Sequence, residues 1–372
     1  MAILLLALVA AVVLLLVGLS LLGGSTSHHP AIELGARTPG ELVSIDELRD
    51  RARRAAAGEA PYADAVKDLL EYATATVGIA PDPQEPLEIT GTEGPFVDDT
   101  AAAYGLALAW VVTGDESYAE ASAGFIKAWV GTTKTTVGTC PDDGRCQTSL
   151  IIGRTAPAFV FAADLLHGSS AFPAADENAF RQWLAAVILP AASELHNNWG
   201  DAGTFLRIVG YDFLGDRGHL RDAIERAYAQ QDLIAADGHI PEEVRRGPEG
   251  ISYTQEALQY KVGSAVIASR YGIDLWDDRG QDGATLRDAL TYLARFWSQP
   301  GAWPWDPHAE VPSTGPQWEL AFQRFRDPAY IPIIEDRRPF GSQGHSALRW
   351  TTLTNGVPLD AVPTATPTTA PS

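Results

Sequence analysis

The spacing of apolar and polar positions along this chain predicts helices almost everywhere and very few strands. No stretch before residue 330 alternates with period two, the pattern expected of strands. Helical patterns cover 44–57, 62–76, 98–112, 116–130, 148–166, 176–196 (with a kink at Pro190), 202–213, 218–235, 253–271, 284–298 and 317–325. The chain is therefore expected to be all-α.

The junctions between these helices carry capping residues that suit short turns. Ser44 and Glu47 form a capping box, in which the serine caps the helix start and the glutamate reaches back. A Gly-Asp pair follows Thr113 and again follows Leu214, so that glycine closes one helix and aspartate caps the next. Antiparallel helix pairs repeated on such turns favour an (α/α) toroid or solenoid over residues 41–335, because a plain bundle has fewer, longer helices.

The two ends of the chain do not have the composition of a folded core. Residues 1–24 contain an apolar run without charge, which predicts a signal peptide or membrane anchor and an exported, periplasmic or extracellular protein. If uncleaved, this helix would attach the protein to a membrane. A linker is expected over 25–40 and an irregular segment over 336–361. The Pro/Thr-rich residues 362–372 predict a disordered tail.

Charge and cysteine content narrow the function classes. The formal net charge is −20, which argues against nucleic acid as a partner because phosphate binding needs a basic surface. Cys140 and Cys146 enclose a short polar segment, and outside the cytoplasm such a pair is expected to form a disulfide. No CxxC, HExxH or P-loop motif occurs, so neither a metal nor a cofactor is predicted.

Two segments hold polar residues without an evident structural role. They are 196–201, His-Asn-Asn-Trp-Gly-Asp, and 237–253, a charged loop that leads into a helix. In the simplest interpretation the asparagines cap helix ends and the arginines of the loop pair with neighbouring glutamates. In a second interpretation these polar groups form a binding or catalytic site.

The pattern of these segments resembles the alginate lyase family, whose members fold as (α/α) toroids. An asparagine pair is followed about fifty residues later by Asp-Gly-x-x-Pro-x-Glu-x-x-Arg and then by Tyr-x-x-x-Ala-Leu. The resemblance covers roughly residues 95–280. The matching positions are Asn197, Asn198, Asp237, Gly238, Pro241, Glu243, Arg246, Gly247 and 253–258, with upstream similarity at 113–115, 128–129, 147–154 and 163–166.

The resemblance implies β-elimination on an acidic polysaccharide that contains uronate. Asn198 and Arg246 would neutralise the uronate carboxylate, since an amide and a guanidinium stabilise the enolate-like charge that develops. Tyr253 would serve as acid and base, because a phenol close to a guanidinium ionises more readily. The expected substrate contacts are Asn197, Trp199, His196, Gln147 and Arg154.

One position departs from the family pattern, and it keeps other interpretations open. Related enzymes carry a histidine directly after the asparagine pair, where this chain has Trp199; His196, His239 and His308 are the other candidates. The alternatives are a tyrosine-only mechanism on another uronate and an exported glycan-binding protein without turnover. A glycoside hydrolase is the third, which would use two carboxylates. Its candidates are Asp201, Asp237, Glu242 and Glu243.

Two further features point to glycan contact. The Pro/Gly-rich stretch 77–96 is long for a helix connection, and we expect it to border the cleft and close over a bound glycan. Trp303, Trp305 and Trp318 lie close together in sequence. Aromatic rings stack on sugars, but core packing is the simpler expectation for each of these three.

Overall fold

The structure, a computed structural model, describes residues 29–137, 147–312 and 315–360. The described residues from Ile32 onward form one compact unit. No helix within the described ranges has the length and apolar character needed to cross a membrane. The predicted signal or anchor, the Cys140–Cys146 pair and the Pro/Thr-rich tail lie outside the described residues, and they stay predictions.

The described residues contain helices and no strand, which confirms the all-α prediction. A single isolated bridge pairs Leu87 with Thr136. The helices are α1 Ile45–Ala56, α2 Tyr62–Thr76, α3 Pro95–Thr113, α4 Glu116–Thr132, α5 Thr148–Thr155, α6 Pro157–Leu165, α7 Ala174–Trp183, α8 Asn198–Leu214, α9 Arg217–Gln231, α10 Pro241–Val244, α11 Gly250–Ser269, α12 Leu286–Trp297, α13 Gln317–Phe325, α14 Ile331–Arg337 and α15 Thr351–Asn355.

The helices form an inner ring with an outer layer, as expected of an (α/α) toroid. In the inner ring α3, α6, α8, α11, α13 and α15 pack in succession, and α15 returns to α2, which packs on α3. The outer helices α4, α9 and α12 pack on α3, α8 and α11. Burial follows this order: α3 buries 14 of its 19 residues, whereas α9 buries 7 of 15. A helix that is apolar on all sides is one surrounded by neighbours.

The two predicted Gly-Asp junctions are confirmed, whereas several predicted helix boundaries are wrong. The helix predicted over 148–166 divides at Ala156, because Pro157 cannot donate the hydrogen bond that would continue α5. The helix predicted over 176–196 ends as α7 at Trp183 and continues only as a π turn and a 3-10 turn to Ala191. The helix predicted from residue 202 already begins at Asn198, since Asn197 caps it.

The inner helices α8 and α11 run parallel, so their ends define two faces of the ring. Asp201 contacts Lys261 near the beginning of α8, and Asp212 contacts Tyr271 near its end. The face at the first residues of these helices is called here the N-terminal face, and the face at their last residues the C-terminal face. A 17-residue helix separates the two by roughly 25 Å.

The segments on either side of the ring are attached to these faces. In the predicted linker, Gly35 and Thr38 donate to the carbonyl groups of Tyr271 and Arg270 on the C-terminal face. The predicted irregular segment 336–361 contains α15. Its loop reaches the N-terminal face, where the Ala347 N–H donates to the Arg154 carbonyl at 2.7 Å.

Candidate active site

The asparagine pair lies at the start of α8. The Asn197 side chain accepts a hydrogen bond from the Trp199 N–H at 3.1 Å, which makes Asn197 the helix cap. Asn198 is the first helical residue and is buried. The turn before the helix comes so close that a Cβ on Gly200 would lie 1.7 Å from the Leu195 carbonyl oxygen. Only glycine fits there, and its presence fixes the position of both asparagines.

The Asp-Gly-Pro-Glu motif builds the loop that faces the asparagine pair. Gly238 has a φ of 95°, and a Cβ there would lie 2.6 Å from the Asp288 carbonyl oxygen. Pro241 occupies the first turn of α10, where a missing N–H costs nothing. Glu243, on the same short helix, is fully buried. This arrangement shows that the motif residues before Arg246 mainly position the loop.

Glu243 connects the loop to the asparagine pair. Its Oε1 accepts a hydrogen bond from the Asn198 backbone N–H at 2.7 Å. Burial, reinforced by the negative charge of Asp201, raises the pKa of Glu243 to about 7, although Arg246 and Lys261 act in the opposite direction. The carboxyl is therefore largely neutral in mildly acidic solution, and a neutral Glu243 competes weakly for the Arg246 guanidinium.

Arg246 and Tyr253 lie in direct contact on the N-terminal face. The guanidinium carbon of Arg246 is 4.3 Å from the centroid of the Tyr253 ring, a cation–π geometry. Arg246 is exposed and Tyr253 is half-buried in the first turn of α11. Within the described ranges no carboxylate forms an ion pair with Arg246. A positive group beside a phenol is thus available to a ligand.

A buried ion pair behind this contact holds α8 and α11 together. The Lys261 ammonium donates to Asp201 Oδ1 at 2.8 Å and to the Gln230 carbonyl at 3.0 Å. Both side chains are almost fully buried. Because Asp201 is on the helix of Asn198 and Lys261 is on the helix of Tyr253, the pair fixes the separation of these two site residues.

Arg154, at the end of α5, reaches the same helix from the other side. Its guanidinium donates to Glu256 Oε1 at 3.3 Å, and the Tyr260 hydroxyl donates to the second oxygen of this carboxylate at 2.9 Å. Arg154 also interacts electrostatically with Tyr253. It is largely buried, and its Nε has no partner among the described residues. Arg154 is therefore a buried cation beside the tyrosine.

A cavity of about 720 Å³ lies between the start of α3 and the C-terminal loop that bonds to the Arg154 carbonyl. It is lined by Glu93, Gly94, Val97, Asp98, Ser342, Gln343, Gly344, His345 and Arg349. Burial lowers the pKa of His345, and the positive charges of Arg154 and Arg349 lower it further. Its imidazole is therefore neutral at neutral pH. Sequence reasoning missed both His345 and Arg349, which lie outside the matched motifs.

The stretch 77–96 borders this cavity through Glu93 and Gly94. It also contacts Gln147, whose N–H donates to the Ile89 carbonyl at 2.7 Å. Gln147 is half-buried at the start of α5. The stretch therefore lies on the N-terminal face beside Arg154, while Tyr253 itself is not part of the cavity wall.

The other predicted residues lie in the turn before α8, at the start of α8 and on two loops. His196 is exposed in the turn before α8, and Trp199 is half-buried against the core. His239 pairs with Asp237 at 2.6 Å, and His308 is exposed on another loop. Among the described residues no group of histidine, cysteine, aspartate and glutamate could hold a metal ion.

Comparison with solved structures supports the toroid. An alginate lyase from Bacteroides ovatus superposes with a TM-score of 0.68 at 19% identity, covering 86% of this chain and 99% of the other. Alginate lyase A1-III from Sphingomonas species A1 gives a TM-score of 0.65 at 18% identity, covering 87% and 98%. A Tyr-to-Phe variant of A1-III complexed with a tetrasaccharide gives 0.64 at 17% identity, covering 86% and 96%.

Comparison with sequences gives the family. No curated protein sequence matches the chain. The model of the alginate lyase family, however, matches residues 50–303. This range includes the asparagine pair, the loop around Glu243, and the Arg246–Tyr253 contact. Because the match spans more than half of the chain, the protein belongs to the alginate lyase family.

Proposed function

We propose that the protein is a polysaccharide lyase that cleaves an alginate-like, uronate-containing glycan by β-elimination. The observation that carries the proposal is the contact of Arg246 with Tyr253. It places a phenol beside an exposed guanidinium that forms no ion pair with a carboxylate of the described residues. Family membership and the neighbouring structure that is complexed with a tetrasaccharide support a polysaccharide substrate.

In the proposed mechanism, Arg246 binds the carboxylate of the uronate and Asn198 donates to it through its side-chain amide. Both contacts stabilise the enolate-like charge that forms as C5 loses its proton. Tyr253, as phenolate, takes the C5 proton. The C4–O bond then breaks, a C4–C5 double bond forms, and the phenol returns the proton to the leaving oxygen. A single residue can perform both transfers when the two sites lie on one side of the sugar ring.

The arrangement of carboxylates argues against the hydrolase alternative. That reaction needs two carboxyl groups facing the scissile bond. Asp201 is buried in its pair with Lys261, and Glu243 is buried against Asn198. The other two candidates, Asp237 and Glu242, are engaged with His239 and Arg245.

An absorbance screen tests the proposal. The purified protein is incubated with alginate, glucuronan, pectate and glycosaminoglycans, and ultraviolet absorbance is followed together with the release of reducing ends. A lyase produces both, because each cleavage creates a conjugated unsaturated uronate. Reducing ends without absorbance would indicate a hydrolase. Binding without either product would indicate the non-catalytic glycan-binding alternative, and each of these two results would refute the proposal.

A further inference from the structure

Trp305 differs from every other tryptophan of the chain. All ten tryptophans lie within the described residues, and nine are buried or half-buried. Trp305 alone is exposed, with 43% of its surface accessible, whereas its sequence neighbours Trp303 and Trp318 are in the core. Core packing therefore accounts for those two and does not account for Trp305. Tryptophan is enriched among the residues that contribute most of the energy at binding surfaces.

The Trp305 side chain is held in place by its neighbours. Its Nε1–H donates to the Tyr292 hydroxyl at 3.1 Å, and its ring centroid lies 5.0 Å from that of His239. Tyr292 is itself buried, and it packs edge-on against Trp303 at 5.7 Å. The indole is therefore already held in one position. When a ligand stacks on it, the Trp305 side chain loses little conformational entropy.

This exposed ring lies beside the loop that carries the proposed catalytic arginine. His239, which contacts Trp305, and Arg246, which contacts Tyr253, belong to the same 237–247 loop. Asp306, which follows Trp305, also lies close to this loop, since a Cβ built on Gly247 would be 3.9 Å from its carboxylate. Trp305 and the Arg246–Tyr253 contact therefore lie on neighbouring parts of one surface.

We propose that Trp305 forms an outer sugar subsite, where a pyranose ring of the same glycan stacks its C–H face on the indole. A ring bound there would belong to a unit some distance along the chain from the uronate at Arg246. Asp306, the next residue in the chain, can accept hydrogen bonds from sugar hydroxyls. The ligand is the glycan of the proposed function, on which this inference rests, and the subsite makes recognition depend on chain length.

Acrylamide quenching of tryptophan fluorescence tests binding at this position without requiring turnover. Since Trp305 is the most accessible indole, it should dominate quenching in the free protein. Alginate oligosaccharides long enough to reach both positions should protect it, and the shortest should not. In Trp305→Phe this protection should disappear. Protection that is unchanged in Trp305→Phe, or absent at every length in the wild-type protein, would overturn the subsite.

Kinetics provide the second test. Trp305→Ala should lower kcat/KM roughly three- to tenfold on long oligosaccharides and leave the shortest cleaved substrate unaffected, while Trp305→Phe should recover most of the loss. Trp110→Ala is a matched control, because its indole is half-buried at the end of α3 and donates to Glu116. Equal rates for Trp305→Ala and wild type at every length would refute the subsite with lyase activity intact. Length-dependent protection without an unsaturated product would refute the lyase instead and support the subsite.

Discussion

The two faces of the ring contain the same types of residue, but these residues have different partners at each face. On the N-terminal face an arginine, a tyrosine and a glutamate meet as Arg246, Tyr253 and Glu243. On the C-terminal face the same three types meet around Asp212: Arg37 pairs with it at 2.6 Å, and the Tyr271 hydroxyl donates to it. Glu41 lies beside them and pairs with Arg37 at 3.0 Å.

The difference lies in which groups have a partner within the protein. On the C-terminal face the guanidinium and the phenol both bind a buried carboxylate, so they attach the segment around residue 37 to the ring. On the N-terminal face the exposed Arg246 guanidinium contacts the Tyr253 ring and forms no ion pair with a carboxylate of the described residues. Identical chemistry therefore stabilises the fold at one face and is available for a ligand at the other. Matched substitutions at the two faces separate these roles.

The largest expected effect is that of Tyr253→Phe on turnover. Removing the hydroxyl that moves the proton should lower kcat on the active glycan by roughly 10³-fold or more. The melting temperature should stay close to that of the wild-type protein, since this hydroxyl forms no hydrogen bond with another of the described residues. Initial rates from ultraviolet absorbance and a thermal melt measure both quantities.

Tyr271→Phe is the control for this change. It removes the same hydroxyl from the C-terminal face, where the group donates to buried Asp212. We expect it to cost about 1 kcal/mol of stability and to preserve kcat. Full lyase activity in Tyr253→Phe would exclude Tyr253 as the acid and base.

The next effect concerns stability at the C-terminal face. Arg37→Ala leaves the buried Asp212 carboxylate without its cation and should lower the free energy of unfolding by about 3 kcal/mol. Chemical denaturation measures this loss. The kcat of the folded fraction should be unchanged, because Arg37 is roughly a helix length from Tyr253. A loss below 0.5 kcal/mol, on the order of a surface pair, would show that this face is not held by the ion pair.

Arg246→Ala should have a smaller and different effect. Without the guanidinium the uronate carboxylate loses a charge-assisted hydrogen bond, so kcat/KM should fall roughly 10- to 100-fold through both KM and kcat. Stability should change by less than about 0.5 kcal/mol, since Arg246 is exposed. Arg245→Ala, which removes only a pair with Glu242, is the adjacent control. Equal losses in both variants would indicate a general charge effect instead of a specific contact.

The comparison also shows which parts of the structure the sequence could predict. Helix caps are local, so Ser44, Asp115 and Asp216 could be assigned from neighbouring residues, and each side chain accepts from a backbone N–H of the following turn. The end of α7 could not be predicted in this way. The apolar periodicity continues past Trp183, although the backbone changes there to a π turn. Periodicity records which side is buried, and it does not record a change of hydrogen-bond pattern.

The site was predictable only as far as its residues share a motif. The family resemblance implied that Tyr253 lies close to the Arg246 guanidinium, and the two are in contact. The surface pair expected for Arg245 and Glu242 is present as well. His345 and Arg349 approach from a distant part of the chain, because the C-terminal loop bonds to the Arg154 carbonyl. No local pattern indicates such a contact, since only the closure of the ring creates it.

The smallest predicted effect is a pH dependence of stability that arises from Glu243. The pKa of this carboxyl is about 7 in the folded protein, raised from an ordinary value of 4.5 mainly by burial. Its neutral form is therefore favoured by folding. The resulting stability is complete below the ordinary pKa and is lost as the pH rises through the folded pKa.

Between pH 6 and pH 8 the wild-type protein should lose roughly 1 kcal/mol of stability through the ionisation of Glu243. This loss should be absent from Glu243→Gln. The glutamine keeps an acceptor for the Asn198 N–H and has no charge. Glu41→Gln is the control at the other face: burial and the charges of Asp212 and Asp164 raise the pKa of Glu41 well above its ordinary value. Because Glu41 lies on the opposite face of the ring, its substitution should leave the change attributed to Glu243 in place. Denaturation midpoints from pH 5 to pH 8 measure the difference. Parallel curves for wild type and Glu243→Gln would mean that Glu243 is ionised throughout this range and competes with the substrate carboxylate for Arg246.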